Sequence, residues 1–251
     1  MLLFIINVEF SDWIPLINKN NKIFVINEDI LNKYDKDEYK IVPICVKDYS
    51  YDHENNIFKN NQVNIDIFNN KAKFGEYMLL NFYKHIPDIL YYNYDNITFM
   101  NNNINSIQKF IRKPNYGSAG YGIKIINYFT GTEKNCIIQK YIDHIQYYTG
   151  HFLILNGIIK IKIYFSSKHE YKNNIKTGAM INYTIINKLD INDNIFDKIF
   201  YKLNYNGFAN ADFIIKDDTI IIFEINPRPG GSLIKNIKIF DIFIDKLLES
   251  I

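Results

Sequence analysis

Apolar residues along this chain fall into short runs that are separated by polar segments. Short runs between turn-forming residues are typical of strands, whereas apolar residues at helical spacing are typical of helices. The first pattern predicts strands over Leu2–Val8, Ile23–Ile26, Tyr39–Val46, Ile107–Ile111, Ile123–Ile126, Cys136–Gln139, Phe152–Leu155 and Ile158–Phe165. The second predicts helices over Trp13–Ile17, Lys71–His85, Ile195–Leu203 and Ile237–Leu248. The chain is therefore predicted to mix strands and helices.

Turn-forming residues order these elements further. The first three strands alternate with helical or irregular connections, which predicts a small parallel α/β unit at the N-terminus. Asn156-Gly157 predicts a tight turn between two strands. Further along, Phe208–Ile215 and Ile220–Asn226 predict a hairpin. Asn55–Asn64 and residues 169–176 are polar segments in which we expect loops.

Composition and charge exclude several classes of protein. The 251 residues can bury a sizeable core in one large domain or two small ones. The formal net charge is +2 and the lysines are scattered, so the sequence offers no basic patch for nucleic acid. No apolar run approaches the length of a membrane span, and the N-terminal run lacks the basic region of a signal peptide. We therefore expect a cytoplasmic protein without a nucleic-acid or membrane partner.

The rare residues carry more information than the abundant Ile, Asn, Lys and Tyr. Cys45 and Cys136 lie in apolar segments without metal-ligand spacing, so we expect buried, inert thiols. The five histidines lack metal-binding spacing as well. Several of the glycines, prolines and arginines, in contrast, fall into two short clusters.

The more informative cluster follows the predicted C-terminal hairpin and reads Glu224-Ile-Asn226-Pro-Arg228-Pro-Gly-Gly-Ser232. If a three-residue loop spans Asp217–Thr219, Asp212 stands opposite Glu224 and both side chains point to the same face. Asn226 lies two residues further along and shares that face. Two opposed carboxylates destabilise a strand pair unless a cation neutralises them, and such oxygen ligands suit Mg²⁺.

This metal site depends on the register of the hairpin. A two-residue turn would place Ala211 opposite Glu224, and the acids would then be unrelated residues of a surface hairpin. The segment beyond the strand favours the metal site, because its prolines end the strand and its glycines permit positive φ and close approach to a ligand. Arg228 is held directly beyond the acids, and its planar guanidinium can bind phosphoryl or acyl-phosphate oxygens.

The second cluster lies between two predicted strands. Lys113 precedes the glycine-rich segment Gly117-Ser118-Ala-Gly120-Tyr-Gly122. Backbone N–H groups of such a loop can close over phosphate oxygens, with Ser118 as a further donor and Lys113 as a positive charge. The loop lacks the ending of a P-loop, and alone such a loop is more often a plain hairpin. Together with a metal site roughly a hundred residues downstream, it predicts a nucleotide site.

From Lys71 to Ser232 the chain resembles the ATP-grasp superfamily, which includes carboxylate–amine ligases and carboxylases. In that family a helix carries a first phosphate-binding lysine. Lys71 matches it best, although Lys73 is an alternative and Asn70 stands where an Asp is usual. A second lysine precedes a flexible glycine-rich loop, and Lys113 matches that position.

The resemblance implies roles for further residues. A Glu or Gln and backbone groups of the strand between the lobes read adenine, and these correspond to Gln139, Lys140, Tyr141 and Ile142. Gln146 takes the place of an acidic residue that often meets the ribose, which is a departure from the family. The phosphate-binding arginine corresponds to Arg228. The metal ligands correspond to Asp212, Glu224 and Asn226.

The resemblance also implies an ATP-grasp fold, in which two α+β lobes hold ATP, preceded by a Rossmann-like α/β unit. We expect the N-terminal unit at 1–67, the lobe with the glycine-rich loop at 68–138, and the lobe with the metal-binding hairpin at 139–251. The implied cofactors are ATP and Mg²⁺, with Mn²⁺ as a substitute.

The implied reaction is the activation of a carboxylate as an acyl phosphate, which an amine or thiol then captures. Positioning and electrostatics carry such chemistry, with Arg228 stabilising the charge on the transferred group. The substrates would be small-molecule or peptide carboxylates and amines, and Lys162 is a candidate contact for the acid. Two alternatives stay open: a kinase of the same fold that acts on a hydroxyl, and an ATP-binding module that has lost catalysis. By analogy with other ATP-grasp proteins we expect a homodimer.

Overall fold

A computed structural model describes residues 2–5, 11–20, 22–26, 28–31, 33–50, 54–101, 109–117, 120–144, 146–168 and 183–251. Its strands are β1 (Leu2–Ile5), β2 (Ile23–Val25), β3 (Tyr39–Ile41), β4 (Ile89–Tyr94), β5 (Ile97–Met100), β6 (Phe110–Pro114), β7 (Lys124–Ile126), β8 (Cys136–Lys140), β9 (Gln146–Leu155), β10 (Ile158–Lys168), β11 (Thr184–Ile186), β12 (Gly207–Lys216) and β13 (Thr219–Asn226). Its α-helices are α1 (Ile14–Ile17), α2 (Glu28–Leu31), α3 (Gln62–Asn69), α4 (Lys71–Phe82), α5 (Asn194–Leu203), α6 (Gly231–Lys235) and α7 (Ile237–Leu248). Short 3-10 helices lie at Ser11–Trp13, Lys36–Glu38, Val46–Ser50 and Tyr83–His85. Among these described helices, none has the length and apolar character that a membrane crossing requires.

The N-terminal strands form a three-stranded parallel sheet in the order β2-β1-β3, which we call sheet A. Its parallel pairing confirms the predicted α/β unit. Alternation along β1 gives the sheet two apolar faces. Leu3 and Ile5 belong to the cluster that contains Phe243 of α7, whereas Phe4 packs with Leu31 and Tyr39.

The second sheet, sheet B, is antiparallel and has the strand order β5-β4-β8-β6-β7. Helix α4 packs on it through buried residues that include Phe74 and Met78, which share a cluster with Ile137 of β8. The sequence patterns did not predict the hairpin of β4 and β5. The expected domain boundary between residues 138 and 139 falls inside β8, which belongs entirely to sheet B.

The third sheet, sheet C, is also antiparallel and has the strand order β11-β10-β9-β12-β13. Its two faces bury different helices, because side chains alternate along each strand. Phe152 and Tyr164 point to α5 and contact Phe196. On the opposite face, Phe208 packs against Phe243 of α7. We call this second face, which also carries the polar residues described below, the site face.

The hairpin of β12 and β13 corrects one prediction and confirms another. Its turn has two residues, Asp217 and Asp218, both with positive φ (49° and 57°), so the predicted three-residue loop is wrong. A β-bulge then makes Phe223 an extra residue on β13, because Phe213 pairs with Ile222 while the preceding residue of β12 pairs with Glu224. That preceding residue is Asp212. The bulge offsets the shorter turn, and the predicted opposition of Asp212 and Glu224 is confirmed.

Candidate active site

Two rows of polar side chains cross the site face of sheet C, each contributed by β9, β12 and β13. The first row consists of Thr149, Asp212 and Glu224. The second row consists of His151, Asn210 and Asn226. Since the rows are two residues apart along each strand, all six side chains belong to one face. Both predicted carboxylates and the predicted amide therefore meet at one place.

Hydrogen bonds fix the oxygen atoms of the first row. Thr149 Oγ1 donates to Asp212 Oδ1 at 2.7 Å, and Asp212 is buried. Asn226 Nδ2 donates to Glu224 Oε1 at 3.3 Å, which joins the second row to the first. Carboxylate and amide oxygens such as those of Asp212, Glu224 and Asn226 are the hard ligands that Mg²⁺ prefers. The described residues hold no group of three or more His, Cys, Asp and Glu side chains suited to a metal, so water and substrate oxygens would have to complete this site.

Lys71 brings a positive charge to these carboxylates from the start of α4. The helix begins there because Asn70 caps it, with Oδ1 accepting the backbone N–H groups of Ala72 and Lys73 at 3.0 and 3.1 Å. The buried Lys71 ammonium donates to the carbonyl of Gly117 at 2.7 Å and lies 3.4 Å from Glu224 Oε2. The helix start thus connects the glycine-rich loop to the acidic hairpin.

Lys73, the alternative first lysine, is directed elsewhere. Its ammonium lies 3.8 Å from a carboxylate oxygen of Asp66 and 3.9 Å from one of Asp95. It also lies 5.7 Å from the ring centroid of Tyr94. Of the two lysines, the structure therefore brings only Lys71 to the acids of β12 and β13.

Lys113 reaches the same region from β6. Its buried ammonium donates to the carbonyl of Phe223 at 3.4 Å and lies 5.2 Å from the centroid of that ring, so the bulge residue provides both contacts. Burial lowers the pKa of Lys113 to about 8, against the opposing effect of the nearby Glu224 carboxylate. An ammonium so poorly solvated gains strongly from any anion that enters the site.

The glycine-rich loop between β6 and β7 adopts backbone conformations that favour glycine. Gly117, Gly120 and Gly122 have φ values of 133°, 75° and 74°. Such conformations strain any residue with a Cβ, which explains the spacing of the glycines. Ser118, the predicted further donor, lies outside the described residues. Tyr121 is exposed on this loop.

The predicted adenine-binding segment runs from the end of β8 toward β9. Gln139 is buried, and its Oε1 has no hydrogen-bond partner among the described residues. Lys140 is tied to Asp88 through its backbone N–H at 2.8 Å and by an ion pair at 3.6 Å. The buried Oε1 of Gln139 can therefore accept a hydrogen bond from a ligand, as a side chain that binds adenine must do.

The other members of that segment already have partners. The backbone N–H of Tyr141 donates to the carbonyl of Lys109 at 3.1 Å. The carbonyl of Ile142 lies 2.9 Å from Nδ1 of His144. Gln146, predicted near the ribose, donates from Nε2 to Ser166 Oγ at 2.7 Å on β10.

The structure does not bring Lys162 to the other candidate residues. Lys162 and Tyr164 alternate along β10 with Phe165, whose ring contacts His151 on the site face. Lys162 consequently lies on the opposite face, where its ammonium is 2.8 Å from Asp193 before α5. This ion pair, which Tyr164 joins by a hydrogen bond to Asp193 at 2.5 Å, stabilises the attachment of α5. We do not retain Lys162 as a contact for a substrate acid.

The segment after β13 differs from its prediction at the glycines. Gly230 has a φ of −83°, and neither it nor Gly231 has the positive φ that we expected. The reason for Gly230 is close packing: a Cβ there would lie 2.5 Å from His151 Cε1 and 3.3 Å from Asn210 Cγ. The half-buried Arg228 lies in the same segment, and its backbone N–H donates to the carbonyl of Asn226 at 2.9 Å.

Sequence reasoning missed three residues of the two rows. Asn210 could have been found, because it precedes Asp212 by two positions and must share its face. Thr149 and His151 were missed because the predicted strand began at Phe152, whereas β9 begins at Gln146. The run from 146 to 151 is rich in polar and aromatic residues, so it gave no apolar signal.

Comparisons with known proteins concern the family and the fold. A family model described as "ATP-grasp domain" matches residues 69–232. No curated protein sequence matches significantly. The structure is similar to D-alanine–D-alanine ligase from Bacillus anthracis, with a TM-score of 0.52 and 15% identity over 100% of this chain and 98% of that chain.

Two further solved structures are similar to this chain. Phosphoribosylamine–glycine ligase from Thermotoga maritima has a TM-score of 0.59 and 10% identity, over 94% of this chain and 71% of that chain. L-amino acid ligase from Bacillus licheniformis has a TM-score of 0.57 and 11% identity, over 92% and 68%. At such low identities the likeness establishes the fold alone. The family match covers well over half of the sequence, and the chain belongs to the ATP-grasp family.

Proposed function

We propose that this protein is an ATP- and Mg²⁺-dependent ligase that activates a carboxylate as an acyl phosphate for attack by an amine. The proposal rests on one observation: two opposed carboxylates and an amide lie in the same region as two buried lysines. Asp212, Glu224 and Asn226 form the acidic side of that region. Lys71 and Lys113 form the basic side.

The residues of this chain fit both halves of Mg-ATP. Asp212, Glu224 and Asn226 would hold Mg²⁺, which when bound would neutralise charge on phosphate oxygens. The ammonium groups of Lys71 and Lys113 would bind phosphate, since burial has removed most of their water. The Oε1 of Gln139, which has no hydrogen-bond partner in the described part of the chain, would accept an N–H group of the base.

The remaining residues act on the group that is transferred. Arg228, placed beyond the metal ligands, would bind the oxygens of the phosphoryl group as it moves to the substrate carboxylate. The glycine-rich loop would cover the phosphates with its backbone N–H groups and exclude water. No side chain of this set needs to act as a nucleophile, because positioning and charge stabilisation suffice for such a transfer.

The class of substrate is part of the proposal. Two of the similar structures are named as ligases of D-alanine and of L-amino acids. We therefore propose small-molecule or peptide carboxylates and amines as the substrates, in the cytoplasm.

Isothermal titration calorimetry with Mg-ATP tests the proposal. We expect the wild type to bind Mg-ATP. Glu224→Ala should bind it about tenfold more weakly or worse, because this variant lacks one charged ligand of the metal. Asp218→Asn is the matched control, because Asp218 is an exposed acid at the turn of the same hairpin. It should bind as the wild type does.

ADP release with pairs of carboxylates and amines then tests the reaction. A ligase sustains ADP release only when both are present, because the amine must capture the acyl phosphate and release phosphate before the next turnover, whereas a kinase forms a phosphorylated hydroxyl compound without an amine. Mg-ATP binding without turnover for any pair would favour an ATP-binding module. A folded wild type that does not bind Mg-ATP would contradict the proposal altogether.

A further inference from the structure

Residues 227–232 comprise the connection from β13 to α6 and the first two residues of that helix, and the proposed function uses this segment only at Arg228. One end of it is tied to the metal-ligand row, because the backbone N–H of Arg228 donates to the carbonyl of Asn226 at 2.9 Å. At the other end, Ser232 is the second residue of α6 and is buried. The position of the guanidinium therefore depends on how both ends are held.

His151 holds the far end. It is fully buried on β9, and its Nε2 lies 2.9 Å from Ser232 Oγ. The ring packs edge to face against Phe165, with centroids 4.9 Å apart. Because a strand of sheet C carries this ring and a neighbouring aromatic residue encloses it, its direction is fixed by the core of the sheet.

Gly230 shows how closely the segment lies against the ring. A Cβ at this position would be 2.5 Å from His151 Cε1, a distance that carbon atoms without a bond between them do not reach. It would also be 3.3 Å from Nδ2 of Asn210, the cross-strand neighbour of His151. The segment thus contacts the second polar row at Gly230 and hydrogen-bonds to it at Ser232.

We propose that His151 is a positioning residue for Arg228. Through Ser232 and Gly230 it fixes residues 227–232, so that the guanidinium is already held where the transferred phosphoryl group will be. This inference rests on the proposed function, since it needs a phosphoryl group at Arg228. A side chain held in advance loses less conformational entropy on binding and gives more stabilisation to a charge in transit.

The proposal separates two kinds of binding. In the proposed function, Lys71, Lys113 and the metal ligands hold Mg-ATP in its ground state, and the metal ligand next to the segment is Asn226, whose carbonyl accepts the backbone N–H of Arg228. A mimic of the transferred phosphoryl group needs Arg228 as well. Loss of the contact between His151 and Ser232 should therefore weaken binding of the mimic and leave Mg-ATP binding almost unchanged.

The experiment measures the dissociation constants of Mg-ATP and of Mg-ADP with fluoroaluminate, which mimics the phosphoryl group in transit, on the full chain. Ser232→Ala and His151→Leu should each weaken the fluoroaluminate complex about tenfold, the effect of one lost hydrogen bond. Ser232→Thr and His151→Gln keep a polar group in reach and should restore most of that loss. Mg-ATP affinity should change by less than about twofold in all four variants.

A double-mutant cycle distinguishes positioning from a general structural role. In an Arg228→Met background, Ser232→Ala should have no further effect on the fluoroaluminate complex, because the guanidinium that it positions is gone. Thermal unfolding identifies any variant that does not fold, and if His151→Leu fails, Ser232→Ala and Ser232→Thr decide the question.

The outcomes that would overturn the inference are separate from those that concern the proposed function. Equal weakening of both complexes, additive effects in the Arg228→Met background, or no gain from fluoroaluminate in a wild type that binds Mg-ATP would each overturn the role of His151. A folded wild type that does not bind Mg-ATP would overturn the proposed function and the inference together.

Discussion

The two antiparallel sheets that meet at the site contribute opposite charges to it. Sheet B and the helix that packs on it bring Lys71 and Lys113. Sheet C brings Asp212 and Glu224 on neighbouring strands. Neither set is stable alone, because a buried ammonium needs a partner and opposed carboxylates repel. Each sheet therefore supplies what the other lacks, and Lys71 and Glu224 lie 3.4 Å apart.

The two sets also differ in how firmly they are held. The acids are adjacent in a ladder of backbone hydrogen bonds, and Thr149 fixes one of them. Lys71 extends from a helix start and Lys113 from a strand next to the glycine-rich loop. In the proposed function, sheet C would therefore define the position of the metal, and the basic side would adjust to the phosphates.

The largest effect should come from removal of the lysine that joins the two sets. We expect Lys71→Met to weaken Mg-ATP binding about a hundredfold, because it removes a charged hydrogen-bond donor from a buried site. Lys73→Met is the matched control, since it changes the same residue type on the same helix but removes contacts to Asp66, Asp95 and Tyr94, away from the acids of sheet C. Titration calorimetry measures both, and equal losses would contradict the assignment of Lys71.

Much of the acidic side could be predicted from the sequence, and much of its geometry could not. Glu224 and Asn226 stand in a segment whose residue types and spacing indicate a metal site. The register was predicted for the wrong reason, because neither the two-residue turn nor the bulge at Phe223 leaves a clear pattern. A bulge depends on what the neighbouring strands and Lys113 contact, and a single strand does not contain that information.

The basic side was less predictable for a different reason. Strand β4 follows its first two apolar residues with Tyr and Asn, and β5 has only four residues, Ile-Thr-Phe-Met, so neither strand gave a clear apolar run. Lys71 and Lys73 could not be distinguished, because both lie in the first turn of one helix. The choice between them depends on which side of α4 meets β13, which only the tertiary contact decides.

The next effect concerns the firm packing on the side of sheet C. We expect Gly230→Ala to lower the free energy of unfolding by about 2 kcal/mol, because its Cβ would overlap the buried ring of His151. Gly231→Ala is the control, since a Cβ there would come no closer than 4.0 Å to Trp13. Urea unfolding measures the difference. If both variants lose the same stability, the close packing at Gly230 is not what holds the segment.

The pH dependence of ATP binding probes the basic side through Lys113. Its pKa of about 8 lies below the ordinary 10.5, so the ammonium loses its proton within an accessible range of pH. Bound phosphate favours the charged form, and Mg-ATP affinity should fall about fivefold as the pH rises from 7.5 to 9.5, a range chosen around that pKa. Lys113→Met should bind more weakly and show a flatter profile.

The contribution of Lys113 to stability should change with pH in the opposite direction to Mg-ATP affinity. Between about pH 8 and 10.5 the unfolded chain binds the lysine proton and the folded chain does not. The contribution of Lys113 to the free energy of unfolding therefore rises with pH through this window. Urea unfolding of the wild type and of Lys113→Met measures this contribution as the difference between their free energies of unfolding. A fall in that difference with rising pH would contradict the lowered pKa.

The smallest effect should come from the turn that joins β12 and β13. Asp217 and Asp218 both have positive φ, and Asn-Gly is the pair that such two-residue turns favour. We expect Asp217→Asn with Asp218→Gly to raise the free energy of unfolding by about 0.5 kcal/mol, because glycine adopts positive φ without strain. Loop length stays the same, so the bulge should still place Asp212 opposite Glu224, and Mg-ATP affinity should not change. A loss of affinity in a stabilised variant would mean that the turn residues, and not the bulge, set the register on which the metal site depends.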